Sequence, residues 1–154
     1  MQTGVMIAFL PSNGEWCKQE LPHMTLVYCG TIDDVSYAQF GDIAKDAIAV
    51  ARMFKRPFEL EVVGIEQFGD EGEKVDVLKL SSTPAIDSAR RLVQMWNASE
   101  KPFTPHATVG PEGSAEGHLP TKLYFDRVIA TWGPKKLIFG LGSMYNDVSR
   151  DRDY

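Results

Sequence analysis

Two short segments of the sequence carry the same arrangement of a proline, a histidine and a threonine. Residues 22–26 read Pro-His-Met-Thr-Leu and residues 105–109 read Pro-His-Ala-Thr-Val. Histidine titrates near neutral pH and can take up or release a proton, and a threonine hydroxyl can donate a hydrogen bond. Only three histidines occur in the chain, and two of them, His23 and His106, lie in these matching segments. The repeat therefore predicts a site in which the two histidines act together.

Each segment coincides with the beginning of a predicted β-strand. Side chains alternate between the two faces of a strand, so a histidine and a threonine two positions apart point to the same side. His23 and Thr25 therefore share one face of the first strand, and His106 and Thr108 share one face of the second. The aliphatic residues that alternate with them point into the core. A pseudo-twofold relation between the strands would bring the two pairs together across a cleft.

Two histidines flanked by threonines suit the cleavage of a phosphodiester bond. That reaction needs one group to take a proton from the attacking oxygen and another to give a proton to the leaving oxygen. Negative charge builds up on the non-bridging oxygens of the phosphorus, where the hydroxyls of Thr25 and Thr108 can stabilise it. The scheme calls for no metal ion and no other cofactor. It leaves open which histidine is the base and which is the acid.

A metal site is the obvious alternative for the same histidines, because histidine and cysteine are the usual ligands of zinc. The chain has two cysteines, Cys17 and Cys29. Cys29 lies six residues along the predicted strand from His23, roughly 20 Å away, so the two cannot hold one ion. Cys17 is not excluded, but no second ligand accompanies it at a typical spacing. We therefore expect free thiols and no metal.

Length and charge indicate the class of protein and the kind of partner. The 154 residues, 44% of them hydrophobic, predict one domain over residues 1–145 and a flexible tail over residues 146–154. The net charge is −5 and basic residues occur only in short pairs, which argues against an extended duplex and favours a small nucleotide. No apolar run approaches the roughly 20 residues of a membrane-spanning helix, and no signal-peptide pattern is present. A cytoplasmic location is expected, and a monomer, although the sequence leaves the oligomeric state open.

The rest of the sequence predicts the elements that position the two segments. The order is strand, strand, helix, two strands, helix, and three strands, which is typical of an α+β fold with helices packed on antiparallel sheet. An amphipathic pattern predicts the first helix, with acidic residues 33–34 at its start, and Thr83-Pro84 predicts the start of the second. The second helix is predicted to bury Ala85, Ala89, Leu92, Val93 and Trp96. The predicted strands are Val5–Leu10, Met24–Cys29, Phe58–Ile65, Val75–Leu80, Pro105–Val109, Leu123–Thr131 and Lys135–Leu141, and the first helix is Val35–Phe54.

With its paired His-x-Thr-aliphatic segments, the sequence resembles the two-histidine, or 2H, phosphoesterase superfamily. The resemblance extends from Gly4 to Leu141 and includes the apolar first strand, the helix that follows the first segment, and Phe-Thr-Pro-His-Ala-Thr-Val-Gly late in the chain. It implies a bilobal fold of two pseudo-symmetric lobes, each an antiparallel sheet backed by a helix, with the active cleft between them. It also implies that the histidines and threonines of both segments are catalytic.

The same resemblance implies a range of substrates. Members of this superfamily act on 2′,3′-cyclic phosphates, on 2′-5′ linkages in RNA, on ADP-ribose cyclic phosphate and, in some phages, on cyclic oligonucleotide signals of bacterial immunity. The compact size is similar to that of the phage-type members, whose location would be the host cytoplasm. The expected function is metal-independent hydrolysis of a small nucleotide phosphodiester. The alternatives are a nucleotide-sequestering module without catalysis and an enzyme that processes RNA ends.

Five further residues are candidates for binding the substrate. Phe9, Tyr28 and Trp16 could stack on a base. A place in the core is the favoured interpretation for Phe9 and Tyr28, and Trp16 could equally cap the sheet. Tyr124 begins a strand from which it could contact a base or a phosphate. His118 lies in the Gly-rich loop 111–120, where it is either solvated or part of a lid over the cleft.

Overall fold

Eight β-strands and two α-helices make up the described part of the chain, residues 3–142 and 148–150 of a computed structural model. The helices are α1, Tyr37–Met53, and α2, Pro84–Val93, which continues into the 3-10 turn Gln94–Trp96. The strands are β1 (Gly4–Pro11), β2 (Met24–Thr31), β3 (Phe58–Phe68), β4 (Val75–Leu80), β5 (His106–Pro111), β6 (Lys122–Trp132), β7 (Lys135–Gly140) and β8 (Val148–Arg150). The predicted order of elements is confirmed, and β8 was not predicted.

Both helices begin at a hydroxyl cap. Ser36 accepts a hydrogen bond from the Gln39 amide and the Gln39 side chain accepts one from the Ser36 amide, which forms a capping box before α1. Residues 33–34 were predicted at the start of α1, but the first turn contains no acidic residue. Asp34 instead accepts hydrogen bonds from Thr31. Thr83 caps α2 and Pro84 follows at its first position, as predicted.

The buried face of α2 differs in part from the predicted one. Ile86, Ala89 and Val93 are buried, whereas Ala85 is exposed and Leu92 is 38% exposed. The observed set follows the spacing of three and four residues from Ile86, which places Ala85 and Leu92 on the solvent side of the helix. The prediction had begun the apolar row one residue too early.

The strands form one antiparallel system in which the pairing closes on itself. Starting at β1 the order is β2, β5, β4, β3 and β6, and β6 pairs again with β1. Strand β6 takes part in both halves, because its residues 122–125 pair with β3 and its residues 125–132 pair with β1. The opposite junction, between β2 and β5, consists of the single pair Met24 and Ala107.

The closed pairing gives the two-lobed arrangement that the sequence implied. One lobe contains β1, β2, β7 and the second half of β6; the other contains β3, β4, β5 and the first half of β6. Helix α1 packs on β1, β6 and β7, while α2 contacts β2 and also α1. The lobes are thus joined firmly along β6 and meet at one point between β2 and β5.

A cluster of four aromatic rings fills the core where β1, β3 and β6 approach each other. Phe9 packs edge-on against Phe54, Phe58 and Phe125, with ring centroids 5.2–6.2 Å apart. Phe58 in turn stacks on Phe54 and on Phe125 at 4.7 and 5.4 Å. Edge-on and offset stacking of this kind is the favourable geometry for aromatic pairs. Phe9 has no exposed surface, so its prediction as a base-stacking residue is wrong and its place is in the core.

The loop after β5 is held by a buried carboxylate. Asp76, in β4, is only 5% exposed and accepts hydrogen bonds from the amides of Gly113 and Ala115 at 3.0 and 2.9 Å and from Gln67 at 3.2 Å. The amide of Ala115 above all, together with Gln67 and the other loop amides, lowers the pKa of Asp76 despite its burial. The Gly-rich loop 111–120 is therefore fastened to the sheet.

The predicted tail, residues 146–154, lies mostly outside the described residues. Within it, Val148–Arg150 pairs with β7 as strand β8. The flexible tail stays a prediction. Among the described residues, no helix has the length and hydrophobicity needed to span a membrane.

Replacing Phe9 by alanine should lower the free energy of unfolding by about 3–5 kcal/mol, because the cavity left among three packed rings cannot collapse. Urea denaturation followed by tryptophan fluorescence would measure the loss. Tyr124→Ala is the matched control, since this ring is 46% exposed, and it should change stability by less than about 1 kcal/mol. Equal losses in both variants would contradict the assignment of Phe9 to the core.

Replacing Asp76 by asparagine should release loop 111–120 while the rest of the domain stays folded. Both loop amides donate to one carboxylate oxygen, Oδ2, and the Gln67 side chain donates to the other. The single oxygen of an asparagine carries no full charge, so its hydrogen bonds with the loop amides are weaker, and its NH2 group meets the NH2 group of Gln67. Hydrogen exchange at Gly113 and Ala115 should accelerate by about tenfold.

The same contact predicts a pH dependence. Because the pKa of Asp76 is lowered, its contribution is complete above 3.8, the usual value, and is lost as the pH falls through the lowered pKa. Exchange rates in the loop that stay unchanged in the Asp76→Asn variant would show that the carboxylate does not hold it.

Candidate active site

The two histidines are held in the same way. The Nδ1 atom of His23 lies 2.7 Å from the carbonyl oxygen of Leu21, and Nδ1 of His106 lies 2.7 Å from that of Thr104. A carbonyl oxygen only accepts hydrogen bonds, so in each ring Nδ1 carries the proton and donates it. The Nε2 atom of each neutral ring is then free to accept a proton.

The proline in each segment helps to make this arrangement. Pro22 and Pro105 follow the two carbonyl groups directly. Proline fixes its own φ near −65° and keeps the residue before it extended, which restricts the position of that residue's carbonyl group. The prolines were visible in the sequence as part of the repeat, but this role depends on contacts that only the structure shows.

The register between β2 and β5 places each histidine beside the threonine of the other strand. In an antiparallel pair the residues on either side of an opposed pair also face one another. Around Met24 and Ala107, this sets His23 beside Thr108 and Thr25 beside His106. The four groups form a compact patch with the approximate twofold symmetry that the sequence repeat predicted.

Burial follows the predicted alternation along both strands. Met24 has no exposed surface and Ala107 is 1% exposed, while the histidines and threonines are half-buried. The aliphatic side chains therefore anchor the two strands in the core, and the imidazoles and hydroxyls point to the opposite face.

The environment of His23 favours the neutral ring. Desolvation lowers the pKa of His23 below 6.5 and a positive charge on His106 lowers it further, against the raising effect of the hydrogen bond to Leu21. At neutral pH, His23 is therefore uncharged with Nε2 unprotonated. The mutual repulsion means that the two rings do not readily carry a charge together.

A cleft of about 490 Å³ opens beside Thr25 and His106. The ring of Phe68, at the end of β3, meets the His106 imidazole edge-on with centroids 4.7 Å apart. The cleft combines aromatic, basic and amide side chains, as a site for a base and a phosphate would. Its other walls include Tyr28, Gln67, Arg90, Asn97, Lys101 and Phe103.

Arg90 is a lining residue that the sequence analysis missed. Its guanidinium donates to the carbonyl of Leu26 and to the side chain of Gln94, and it lies 4.9 Å from the ring centroid of Phe103. These contacts hold a positive charge in the wall of the cleft. Its position in the sequence could have indicated this role. Arg90 lies four residues after Ile86, at the edge of the buried face of α2.

The residues predicted to bind the substrate are distributed over different places. Tyr28, for which a core position was the favoured alternative, is 42% exposed and lines the cleft. Trp16, predicted to stack on a base, is only 6% exposed and belongs to the hydrophobic core. Together with His118 it lines a second cavity of about 340 Å³ between the β1–β2 connection and loop 111–120. Tyr124 is 46% exposed on β6 and lines neither cavity. The lid function suggested for loop 111–120 remains a prediction.

The two cysteines lie in different surroundings. Cys29 is buried in the hydrophobic core, and burial raises its pKa to about 12. Cys17 is half-buried, its Sγ 3.5 Å from the carbonyl oxygen of Thr108, and burial raises its pKa as well. Between residues 3 and 142, no three His, Cys, Asp or Glu side chains are grouped as ligands of one ion.

Comparison with known structures shows the same fold in three proteins. The crystal structure of Escherichia coli LigT in apo form has a TM-score of 0.53 at 15% identity, covering 97% of this chain and 94% of that chain. TT0787 of Thermus thermophilus has a TM-score of 0.53 at 15% identity, with coverage of 96% and 94%. Usb1 of Kluyveromyces marxianus has a TM-score of 0.59 at 10% identity, with coverage of 91% and 98%. At these identities the similarity concerns the fold alone.

The family is shown by the sequence itself. No curated protein matches the chain. A family model described as 2′-5′ RNA ligase superfamily matches residues 14–128, which is more than half of the chain and includes both His-x-Thr segments. The chain therefore belongs to the 2′-5′ RNA ligase superfamily, the family of the two-histidine phosphoesterases.

Proposed function

We propose that this protein hydrolyses a phosphodiester bond in a small nucleotide by acid–base catalysis with His23 and His106. One observation carries the proposal. Two imidazoles are held identically through Nδ1, lie on one face of adjacent strands, and each stands beside a threonine hydroxyl. Thr25 and His106 line the cleft of about 490 Å³, and His23 lies beside them on the neighbouring strand without lining it.

His23 is the proposed base and His106 the proposed acid. The lowered pKa keeps His23 neutral, so its Nε2 takes the proton as the attacking oxygen forms its bond to phosphorus. The bond to the leaving oxygen breaks, and Nε2–H of His106 supplies the proton to that oxygen. His23 gains one proton and His106 loses one, so the two rings exchange their protonation states during a turnover. The mutual repulsion of the rings favours this singly charged state.

The threonines stabilise the charge that develops at phosphorus. Thr25 and Thr108 lie on opposite sides of the patch, so their hydroxyls can donate to two different non-bridging oxygens. Arg90 adds a positive charge in the wall of the cleft. In other phosphodiesterases a metal ion stabilises the negative charge at phosphorus. Here the hydroxyl donors and the guanidinium charge are proposed to do so, and the proposed reaction is therefore independent of metal.

A small nucleotide is the proposed substrate class. The cleft of about 490 Å³ suits a single nucleotide unit better than a duplex, and the net charge of −5 disfavours long nucleic acids. LigT, which shares the fold, has been crystallised with phosphate and with NADP+. The proposed substrates are a 2′,3′-cyclic phosphate, a 2′-5′ linkage or a cyclic oligonucleotide. Cleavage of the last would make the protein an anti-defence nuclease.

A substrate screen tests the proposal directly. Purified protein would be incubated in EDTA with 2′,3′-cyclic mononucleotides, 2′-5′ dinucleotides and cyclic di- and trinucleotides, beside a variant in which both histidines are replaced. Cleavage that vanishes in the variant would support two-histidine hydrolysis. Tight binding without cleavage would indicate a sequestering module instead, and inhibition by EDTA would indicate a metal enzyme.

Replacing either histidine by asparagine should lower kcat by about 10²–10⁴-fold, because one proton transfer loses its catalyst. Asparagine retains a side-chain N–H that can donate to the Leu21 or Thr104 carbonyl, so the free energy of unfolding should change little. Thr25→Ala and Thr108→Ala should each lower kcat by about 10–10³-fold, and Thr3→Ala, at an exposed position outside the site, should not. Normal turnover by His23→Asn or His106→Asn would refute the acid–base scheme.

The acid limb of the pH profile should lie below pH 6.5. As the pH falls through the lowered pKa, His23 is protonated, the base is lost, and kcat/KM declines. The free energy of unfolding should fall over the same pH range. The unfolded chain binds a proton at His23 more readily than the folded protein does, so a falling pH favours the unfolded chain.

Titration of His23 by NMR gives a test without turnover. In the His106→Gln variant the pKa of His23 should rise but stay below 6.5, because the repulsion is removed and desolvation, the larger effect, remains. A His23 pKa above 6.5 in the unaltered protein would contradict its assignment as the base.

A further inference from the structure

The cleft beside Thr25 and His106 is positively charged, although the protein as a whole is acidic. Arg90 and Lys101 line it, and none of its described lining residues is an aspartate or a glutamate. The chain has 21 acidic and 16 basic residues, so a lining without any carboxylate departs from the rest of the molecule. A cleft whose charges have one sign concentrates ligands of the opposite sign. This cleft therefore suits a ligand with more negative charge than one phosphodiester carries.

Strand β2 determines where these charges lie along the cleft. Beyond its pair with Ala107 at Met24, β2 no longer pairs with β5. The carbonyl oxygen of Leu26 accepts instead from Arg90 Nη1, and that of Tyr28 accepts from a backbone amide of loop 97–105. At about 3.3 Å per residue, these carbonyl groups lie roughly 7 and 13 Å along the strand from Met24. The order along the cleft is therefore the catalytic patch, the guanidinium and the loop.

A β-bulge at Leu26 brings a tyrosine into the same cleft. Thr25 and Val27 pair with consecutive residues of β1, so Leu26 between them has no partner on that strand. The extra residue reverses the alternation of side chains. Tyr28 consequently lines the cleft together with Thr25, three residues before it, where strict alternation would have turned the two to opposite faces. The bulge thus places a phenol hydroxyl beside the guanidinium of Arg90.

The guanidinium of Arg90 is fixed before any ligand binds. Its Nε and Nη1 atoms donate to the side chain of Gln94 and to the carbonyl of Leu26, and the ring of Phe103 lies against it. The third nitrogen, Nη2, takes part in neither bond. A donor group that is already ordered loses little conformational entropy when it binds an anion.

Lys101 lies on loop 97–105, at the end of the cleft away from the histidines. Its side chain is exposed, and its backbone amide donates to Ser99 Oγ at 3.1 Å. The salt bridges between the described residues involve neither Lys101 nor Arg90. Both positive charges are therefore available to a ligand. An ammonium group on a flexible stem can follow phosphate oxygens without a fixed geometry.

We infer that Lys101 and Arg90 bind a second phosphate group of the substrate, farther along the cleft than the scissile phosphate. The inference rests on the proposed function and narrows its substrates to nucleotides with at least two phosphates. Arg90 lies between the two phosphates and attracts both, whereas Lys101 attracts the second. The hydroxyl of Tyr28 is a further donor to it. A terminal phosphomonoester and an internal phosphodiester both supply the oxygens that this site requires.

Three substrates with the same scissile 2′,3′-cyclic phosphate test the inference. Adenosine 2′,3′-cyclic phosphate has no other phosphate, its 5′-phosphorylated form adds a terminal one, and adenylyl-(3′-5′)-adenosine 2′,3′-cyclic phosphate adds an internal one. At least one of the two-phosphate substrates should have a kcat/KM about tenfold or more above that of the first. The substrate with the higher value distinguishes a terminal from an internal phosphate.

Lys101→Ala should reduce this ratio of kcat/KM values by about tenfold, mainly through KM, and Lys101→Arg, which keeps the charge, should retain most of it. Lys45→Ala, at an exposed position outside the cleft, is the matched control and should leave the ratio unchanged. Equal kcat/KM values for all three substrates would overturn the inference. An equal loss for all three in Lys101→Ala would do the same, because it would show a general attraction of anions. Neither result contradicts the proposed function.

Calorimetry separates the two ideas when none of these substrates is cleaved. The ligands are adenosine 3′-monophosphate, adenosine 3′,5′-bisphosphate and adenylyl-(3′-5′)-adenosine 3′-monophosphate. About tenfold tighter binding of a two-phosphate ligand, with the difference lost in Lys101→Ala, would support the second phosphate site. Equal affinities for the three ligands would overturn it. Absence of hydrolysis of every phosphodiester would instead count against the proposed function.

Discussion

The face that carries the two histidines and the two threonines depends on one contact between the lobes, the backbone pair of Met24 and Ala107. Strand β2 is held along its length by β1, and β5 by β4, so each strand belongs to its own lobe and touches the other only here. Both residues of the pair are buried, which ties the contact to the core beneath. Antiparallel geometry around a single pair then determines which histidine lies beside which threonine. A shift of either strand by one residue would turn that strand's histidine and threonine toward the core.

The same contact leaves room for the cleft beside Thr25 and His106. Strands β2 and β5 pair over one residue only, and the cleft next to that pair is lined by Arg90 and Phe68 among others. The cavity with Lys18 and His118 lies elsewhere, between the β1–β2 connection and loop 111–120. Strand β6 pairs with strands of both lobes and joins them.

Approximate symmetry in the backbone is combined with asymmetry in the surroundings. Both histidines use Nδ1 for a carbonyl two residues earlier, but their other neighbours differ: the ring of His106 meets that of Phe68 edge-on. His23 is desolvated enough to have a lowered pKa. Acid–base catalysis requires this difference, because two identical imidazoles would have no preference for opposite protonation states. In the proposed mechanism, the repeated motif supplies the two imidazoles, and their unequal neighbours distinguish the base from the acid.

The sequence by itself determined the elements and the local geometry of each motif. Alternation along a strand is a property of the backbone, so the exposure of His23, Thr25, His106 and Thr108 could be predicted from their spacing. Prolines, caps and apolar periodicity likewise act over a few residues, and the predicted elements followed from them. The errors were also local: the apolar row of α2 was begun one residue early, because Ala85 and Leu92 satisfy a similar spacing to Ile86 and Val93.

Only the tertiary structure decided which distant segments became neighbours. Phe9 and Tyr28 are both aromatic residues of apolar strands, and their opposite fates, core and cleft, follow from which sheet face each lobe covers. Arg90 could not be assigned from sequence, since its role depends on contacts with Leu26 and Phe103 that helix packing creates. The lowered pKa of His23 and the second cavity have the same origin: desolvation and enclosure are produced by residues remote in the chain, and local pattern carries no information about them.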